Sequence, residues 1–163
     1  MVFTGTYEHA IDAKNRIAIP AEIRSLRSRM ESVADDEPVG WFVTLGEQQS
    51  LCLYTEQSFG QRAAELDNSE LDAEELLTYE RLFFSLARRV EMDKSGRVRL
   101  PDQLMQMVEL DSEVVLIGVK DHLEIRDRTQ WQDHLKEVLG DQAGAMMNPR
   151  RAMKASHRKD STD

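Results

Sequence analysis

Asp12-Ala-Lys-Asn-Arg16-Ile-Ala-Ile-Pro20 and Asp93-Lys-Ser-Gly-Arg97-Val-Arg-Leu-Pro101 carry one pattern twice: Asp, three residues, Arg, an alternating stretch, Pro. An aspartate that opens a turn accepts hydrogen bonds from backbone N–H groups two or more residues on, which fixes the loop. Gly96 at the fourth position allows a positive φ without steric cost, and Asn15 is the next best tolerated residue there. The arginine that follows leaves the turn in a defined direction. A guanidinium held in this way can make bidentate bonds to guanine edges or to phosphates. Lys14 and Lys94, inside the turns, suit phosphates. The competing reading is that each Arg pairs with its own Asp and only braces the turn. Repetition of the unit in a matching strand, Pro and hairpin context favours an arginine presented to a ligand.

The elements that must hold these turns repeat as well. Phe3 and Phe84 each stand nine residues before the aspartate. Tyr7, His9 and Ile11 alternate with Glu8 and Ala10, so 3–11 reads as a half-buried strand, and 86–92 reads as its counterpart. Arg16–Ile19 and Arg97–Leu100 return as strands, and period-2 alternation puts Arg97 and Arg99 on one face with Val98 and Leu100 on the other. Pro20 and Pro101 end the strands and suit the first turns of helices over 21–30 and 101–108. Hairpins follow, at 41–45 with 50–54 and at 114–119 with 122–126. Between the units, Ser69 is placed to cap a helix whose apolar stripe is Leu76, Leu77, Leu82 and Phe83. Shorter amphipathic helices are expected at 59–66 and 131–139.

The chain of 163 residues has a net charge of -9, which argues against a nucleic-acid partner until its distribution is read. Thirteen acidic residues and one base, Arg62, lie between Glu31 and Glu80. Five bases face two acids from His9 to Arg29, and again five face two from Phe84 to Pro101. Salt screens exposed charges beyond about 8 Å at physiological ionic strength, so a local basic patch outweighs the global sum.

Other chemistry finds little support. The histidines His9, His122, His134 and His157 have no metal-ligand spacing among themselves, and His122 with Glu124 on one strand face makes a poor site. The single cysteine, Cys52, is read as excluding an internal disulfide and any cysteine zinc site. No catalytic residue can be named, so no enzyme, cofactor, metal or small-molecule substrate is expected. The longest apolar run, 114–119, is far too short to span a bilayer, and the N-terminal residues lack a basic start and an apolar stretch; a cytoplasmic protein without membrane contact is expected. Trp41, Phe42, Phe83, Phe84 and Trp131 read as core, and Arg88-Arg89 as a solvated face more readily than as phosphate ligands.

With the segment Phe3-Thr-Gly-Thr-Tyr-Glu-His-Ala-Ile-Asp12, the two Asp-turn-Arg-strand-Pro units and Glu113-Val-Val-Leu-Ile-Gly-Val, the chain resembles the MraZ family over roughly residues 1–140. These are tandem-repeat members of the AbrB-like swapped-hairpin transcription factors. The resemblance implies an α+β fold of two tandem swapped-hairpin β-barrel half-units with short flanking helices. It divides the chain into a first repeat at 1–60, linking helices at 61–83 and a second repeat at 84–140, and the polar, basic composition of 141–163 gives the expectation of a disordered tail. It also implies a ring-like homo-oligomer that binds double-stranded DNA at G-rich direct repeats upstream of the division and cell-wall gene cluster, including its own promoter, usually as a repressor on the nucleoid. Lys14, Arg16, Lys94, Arg97 and Arg99 are the expected DNA contacts; Asp12, Asn15, Asp93 and Gly96 are expected to shape the turns. Ala13 and Asn15 stand where the family usually has Asp and Gly. The alternative is a protein-interaction module that keeps the fold and has lost DNA binding.

Overall fold

The computed structural model describes residues 2–31, 37–141 and 147. The acidic loop expected at 31–38 and the tail expected from 141 lie largely outside the described residues. One compact unit runs to Arg128 and a second begins at Thr129. The first unit contains β1 (Thr6–Ala10), β2 (Arg16–Ala18), α1 (Ala21–Met30), β3 (Gly40–Leu45), β4 (Leu51–Thr55), α2 (Glu56–Leu66), α3 (Ala73–Leu86), β5 (Arg88–Glu91), β6 (Arg97–Arg99), α4 (Asp102–Met107), β7 (Glu113–Val119) and β8 (His122–Asp127). The second, among the described residues, is the helix α5 (Arg128–Asp141), where the Trp131 and His134 rings lie 5.8 Å apart.

The fold is α+β, with an antiparallel six-stranded sheet in the order β1-β7-β8-β4-β3-β5 and a separate antiparallel pair, β2-β6. The larger sheet is open, with β1 and β5 at its edges, and is not a closed barrel. Exchanging each strand for its counterpart in the other repeat reverses the order and reproduces it, so the topology has a pseudo-twofold. Each repeat contributes its first strand to the other repeat's hairpin: β1 pairs with β7 from Thr6↔Ile117 to Ala10↔Glu113, and β5 pairs with β3 from Gly40↔Glu91 to Val43↔Arg88. The hairpins meet at β4 and β8, in register from Leu51↔Ile125 to Tyr54↔His122. Strands from both repeats therefore share one hydrogen-bonded network.

Alternation sorts the side chains onto two faces. Trp41, Val43, Leu51, Leu53, Val114, Leu116, Leu123 and Ile125 are fully buried in the main core, together with Phe3, Ile17, Ile19, Ile23, Val98, Leu100 and Leu104. On the other face Cys52, Tyr54 and Phe83 form a second cluster with Phe42, Phe59 and Phe84. Phe59 stacks on Phe42 at 4.2 Å and on Phe83 at 5.5 Å, which pins α2 and α3 to the sheet. The Thr44 hydroxyl adds a buried hydrogen bond to the Phe83 carbonyl at 2.9 Å.

Several boundaries differ from the sequence reading for local reasons. The first strand is shorter than 3–11 because Gly5, at φ 93°, interrupts it; Phe3 then makes only an isolated bridge to Lys120. The cap of α3 is Asp72 rather than Ser69: its carboxylate accepts from the N–H groups of Glu74 and Glu75 at 3.0 and 2.9 Å, while the Ser69 hydroxyl accepts from Leu71 in the preceding turn. Leu86 belongs to α3, because Phe83 and Leu86 continue its apolar face by one more turn before Ala87 turns extended. The helix expected at 59–66 starts at Glu56, since Thr55 caps it by accepting from Ser58.

Because Ile17 pairs with Val98 and both have no exposed surface, shortening Ile17 opens a cavity at the junction of the repeats. Ile17→Ala is expected to cost about 2–5 kcal/mol and Ile17→Val about 0.5–1.5. Urea unfolding at fixed protein concentration checks the ranking; equal small losses would show that this pair is not part of the cooperative core.

Candidate nucleic-acid interface

The two turns have the same hydrogen bonds. Asp12 Oδ1 accepts from the backbone N–H of Lys14 and of Arg16, both at 2.9 Å, and Oδ2 accepts from Arg16 Nε at 2.7 Å. Asp93 Oδ1 accepts from Ser95 N–H at 2.9 Å and Arg97 N–H at 3.0 Å, and Oδ2 from Arg97 Nε at 3.0 Å. The backbone closes each loop through Asp12 N–H to Arg16 carbonyl and Asp93 N–H to Arg97 carbonyl, at 3.0 and 2.8 Å. Asn15 and Gly96 take the left-handed conformation that closure requires, at φ 57° and 78°. Each Arg thus pairs with its own Asp, as the competing reading held. That contact is made through Nε, and a guanidinium has four further donors on its two Nη groups. Bracing and presentation are compatible in one side chain.

The strands leaving the turns form the β2-β6 pair: Arg16↔Arg99, Ile17↔Val98, Ala18↔Arg97. Directly opposed residues share a face, so Arg16, Ala18, Arg97 and Arg99 lie on one side and the buried Ile17 and Val98 on the other. Two reciprocal bonds lock the turns together, from Ile19 N–H to the Gly96 carbonyl at 2.8 Å and from Leu100 N–H to the Asn15 carbonyl at 2.7 Å. The ladder rises about 3.4 Å per residue, so its ends stand roughly 7 Å apart. Lys14 and Lys94 are exposed in the adjoining turns, and the Arg99 side chain is 67% exposed. All five basic residues expected as contacts are therefore brought to one ribbon and its two turns.

Two further residues hold this arrangement, and neither is visible in the repeat pattern. Asp102, at the start of α4, accepts from Asn15 Nδ2 at 3.0 Å and lies 3.5 Å from Arg99 Nη2. Arg24, on α1, donates from Nε to the Ile19 carbonyl and lies across Gly96, where a Cβ would sit 2.8 Å from its Cζ. Their counterparts in the other repeat are Ala21 and Met105, so each brace reaches across the pseudo-twofold and has no equivalent. The only sequence signal for either was charge close to a Pro.

The local positive charge is smaller than the sequence count. Arg27 is buried, paired with Glu31 at 2.7 Å and stacked 4.8 Å over Trp41. Arg89 pairs with Glu56 and Glu91, and Arg88 donates to the carbonyls of Ser85 and Ala87. These three are engaged away from the ribbon, whose own arginines are partly offset by Asp12, Asp93 and Asp102 while Lys14 and Lys94 are exposed in its turns.

A family model for proteins described as "MraZ protein, putative antitoxin-like" matches residues 2–79 and 83–154. The chain belongs to the MraZ family. Among similar proteins, the "Transcriptional regulator MraZ" of Limosilactobacillus fermentum is 36% identical over 145 residues, covering 86% of this chain and 91% of the relative. Those of Neisseria meningitidis serogroup C and Moorella thermoacetica are 35% and 32% identical over 141 and 137 residues, covering 86% and 84% of this chain and 89% of each relative. Similarity to MraZ proteins thus spans both turns and every strand of the two sheets.

Asp12 and Asp93 are held below the ordinary carboxyl value of 3.8, first by the backbone N–H of Arg16 or Arg97 and then by the guanidinium; partial desolvation opposes this and is outweighed. A depressed folded-state value means that the stabilisation is complete above the unfolded value and disappears as pH falls through the folded one. Asp12→Asn and Asp93→Asn should therefore be less stable than the wild type at neutral pH. The gap should close as pH drops below about 3.8. Chemical denaturation across pH 2–7 reads it, and a gap constant to pH 2 would remove the charged turn as its source.

Proposed function

We propose that this chain is a DNA-binding transcriptional regulator of the MraZ type, acting through the β2-β6 ribbon and its two turns. The observation that carries the reading is the convergence of Arg16, Arg97 and Arg99 on one face of a two-stranded ribbon, with Lys14 and Lys94 at its corners. A major groove about 12 Å wide admits a two-stranded ribbon, and arginine is the commonest reader of guanine there. Lys14 and Lys94 would meet phosphates, Arg16 and Arg97 base edges, and Arg99 either. Asp12, Asn15, Asp93 and Gly96 would set the arginines' direction. Relatives named transcriptional regulators support the class of function.

In this reading the two repeats, near 1–60 and 84–140, are AbrB-like swapped-hairpin half-units joined by the helices at 61–83. Several copies form a ring that sets many ribbons on successive G-rich direct repeats before the division and cell-wall genes and the protein's own gene, with repression as the outcome. The protein would work in the cytoplasm, on the nucleoid. Multivalent engagement of this kind raises avidity without new contacts. Exposed apolar groups on α3, Leu77 at 45% and Leu82 at 59%, support an assembly face there. No helix among the described residues is long and apolar enough to cross a membrane.

Fluorescence anisotropy with a duplex carrying the G-rich repeats upstream of the gene, titrated with salt, tests this reading. Affinity should fall steeply with salt because phosphate contacts release counterions. Arg16→Ala and Arg97→Ala should each cost about 1–3 kcal/mol of discrimination against a scrambled duplex, while Lys94→Ala should weaken both duplexes alike. Equal, weak binding to both duplexes by a folded oligomer would favour the protein-interaction reading instead.

A further inference from the structure

The β4-β8 junction brings together three side chains of different donor chemistry. Cys52 lies opposite Glu124 and Tyr54 opposite His122, so Cys52, His122 and Glu124 share the sheet face that carries the second aromatic cluster. Their donor atoms, Sγ, a ring nitrogen and a carboxylate oxygen, all lie within 4.8 Å of one another. The Cys52 and His122 residues are buried and Glu124 is half-buried. This is the one such group among the described residues that includes a thiol.

The surroundings orient the donors toward a common point. His122 Nδ1 lies 2.8 Å from Asp121 Oδ1 and Nε2 lies 3.5 Å from Glu124 Oε1, so the ring is held between two carboxylates and an ion at Nε2 takes the place of the proton that faces Glu124. Glu124 Oε2 is already taken by Arg126 Nε at 2.7 Å, so Oε1 is the oxygen turned to the imidazole. The Tyr54 ring stacks on His122 with centroids 4.9 Å apart and fixes the ring plane. Carboxylate-backed histidines and hydrogen-bonded carboxylates are the usual support of a metal's ligands. A cleft of about 530 Å³, lined by Gly46, Tyr79 and Leu82 as well as the three donors, opens onto them. Gly46 keeps it open at the sulfur, since a Cβ there would lie 2.8 Å from Cys52 Sγ.

We propose that Cys52, His122 and Glu124 bind a zinc-type divalent transition ion, with a fourth position open to the cleft. One cysteine cannot make an all-thiolate site, but one thiolate, one imidazole and one carboxylate make a mixed set of the kind that borderline-soft ions accept. Bond lengths of about 2.0–2.3 Å place tetrahedral ligands roughly 3.5 Å apart. The imidazole and carboxylate already meet that spacing at 3.5 Å, and the sulfur lies within 4.8 Å of both. Binding releases the Cys52 thiol proton and the His122 Nε2 proton to solvent, and the thiolate and the freed ring nitrogen then donate to the ion.

Cobalt(II) added to the full-length protein as purified tests the site, because a thiolate-to-cobalt absorption band can come from Cys52 alone in a chain with one cysteine. The expected result is one band-forming ion per chain, displaced by Zn²⁺, lost in Cys52→Ser and weakened at least ten-fold in His122→Gln and Glu124→Gln. Absence of the band in folded wild-type protein overturns the site, as does a band whose affinity ignores both substitutions. Should those variants fail to fold, Asp121→Asn keeps all three donors. About ten-fold weaker cobalt binding supports the assignment, and unchanged affinity overturns it.

Discussion

The mutual locking of the two turns is the constraint on which the rest depends. Each turn closes through its own backbone bonds, and Ile19 N–H to the Gly96 carbonyl and Leu100 N–H to the Asn15 carbonyl then fix each turn against the other repeat. The β2-β6 ladder between them has only three residue pairs. A two-stranded ribbon is marginal alone in water. Its persistence rests on the burial of Ile17 and Val98 into the core that both hairpins build. The same burial forces the alternate positions, Arg16, Arg97 and Arg99, outward.

That outward face is electrostatically costly, and the fold supplies the offset locally. Arg16 stands opposite Arg99, and like charges directly opposed across strands destabilise the pair. Asp12 and Asp93 answer Arg16 and Arg97 at close range, and Asp102 lies near Arg99. Each aspartate also satisfies backbone N–H groups of its turn, so one carboxylate orders the loop and holds its arginine. Arg27 is drawn into a buried pair with Glu31, and Arg89 into surface pairs with Glu56 and Glu91.

The pseudo-twofold is broken where it affects these turns. Asn15 meets the backbone demand that Gly96 meets in the second turn, and Asp102 accepts a hydrogen bond from its side-chain amide. An asparagine at positive φ is thereby anchored from the other repeat, a contact that glycine could not make. On the opposite sheet face the symmetry is also uneven: the donors Cys52, His122 and Glu124 converge, while aromatic packing by Phe59 and Phe83 closes the rest of that surface.

The sequence by itself determined the local units. The doubled Asp-turn-Arg spacing, the positive-φ residues, the Pro after each short strand and the alternation of Arg97-Val-Arg-Leu are all short-range consequences of backbone sterics and period-2 geometry. Helix ends were less legible, because Ser69 and Asp72 are both competent caps for α3 and the choice between them depends on where the helix docks. Only the tertiary structure decided which strands exchange between repeats, since many antiparallel registers satisfy the same alternation. It alone brought Arg24 and Asp102 to the turns, buried Arg27, and set Cys52 beside His122 and Glu124. Contacts between residues distant in the chain arise from packing, and no local spacing encodes them.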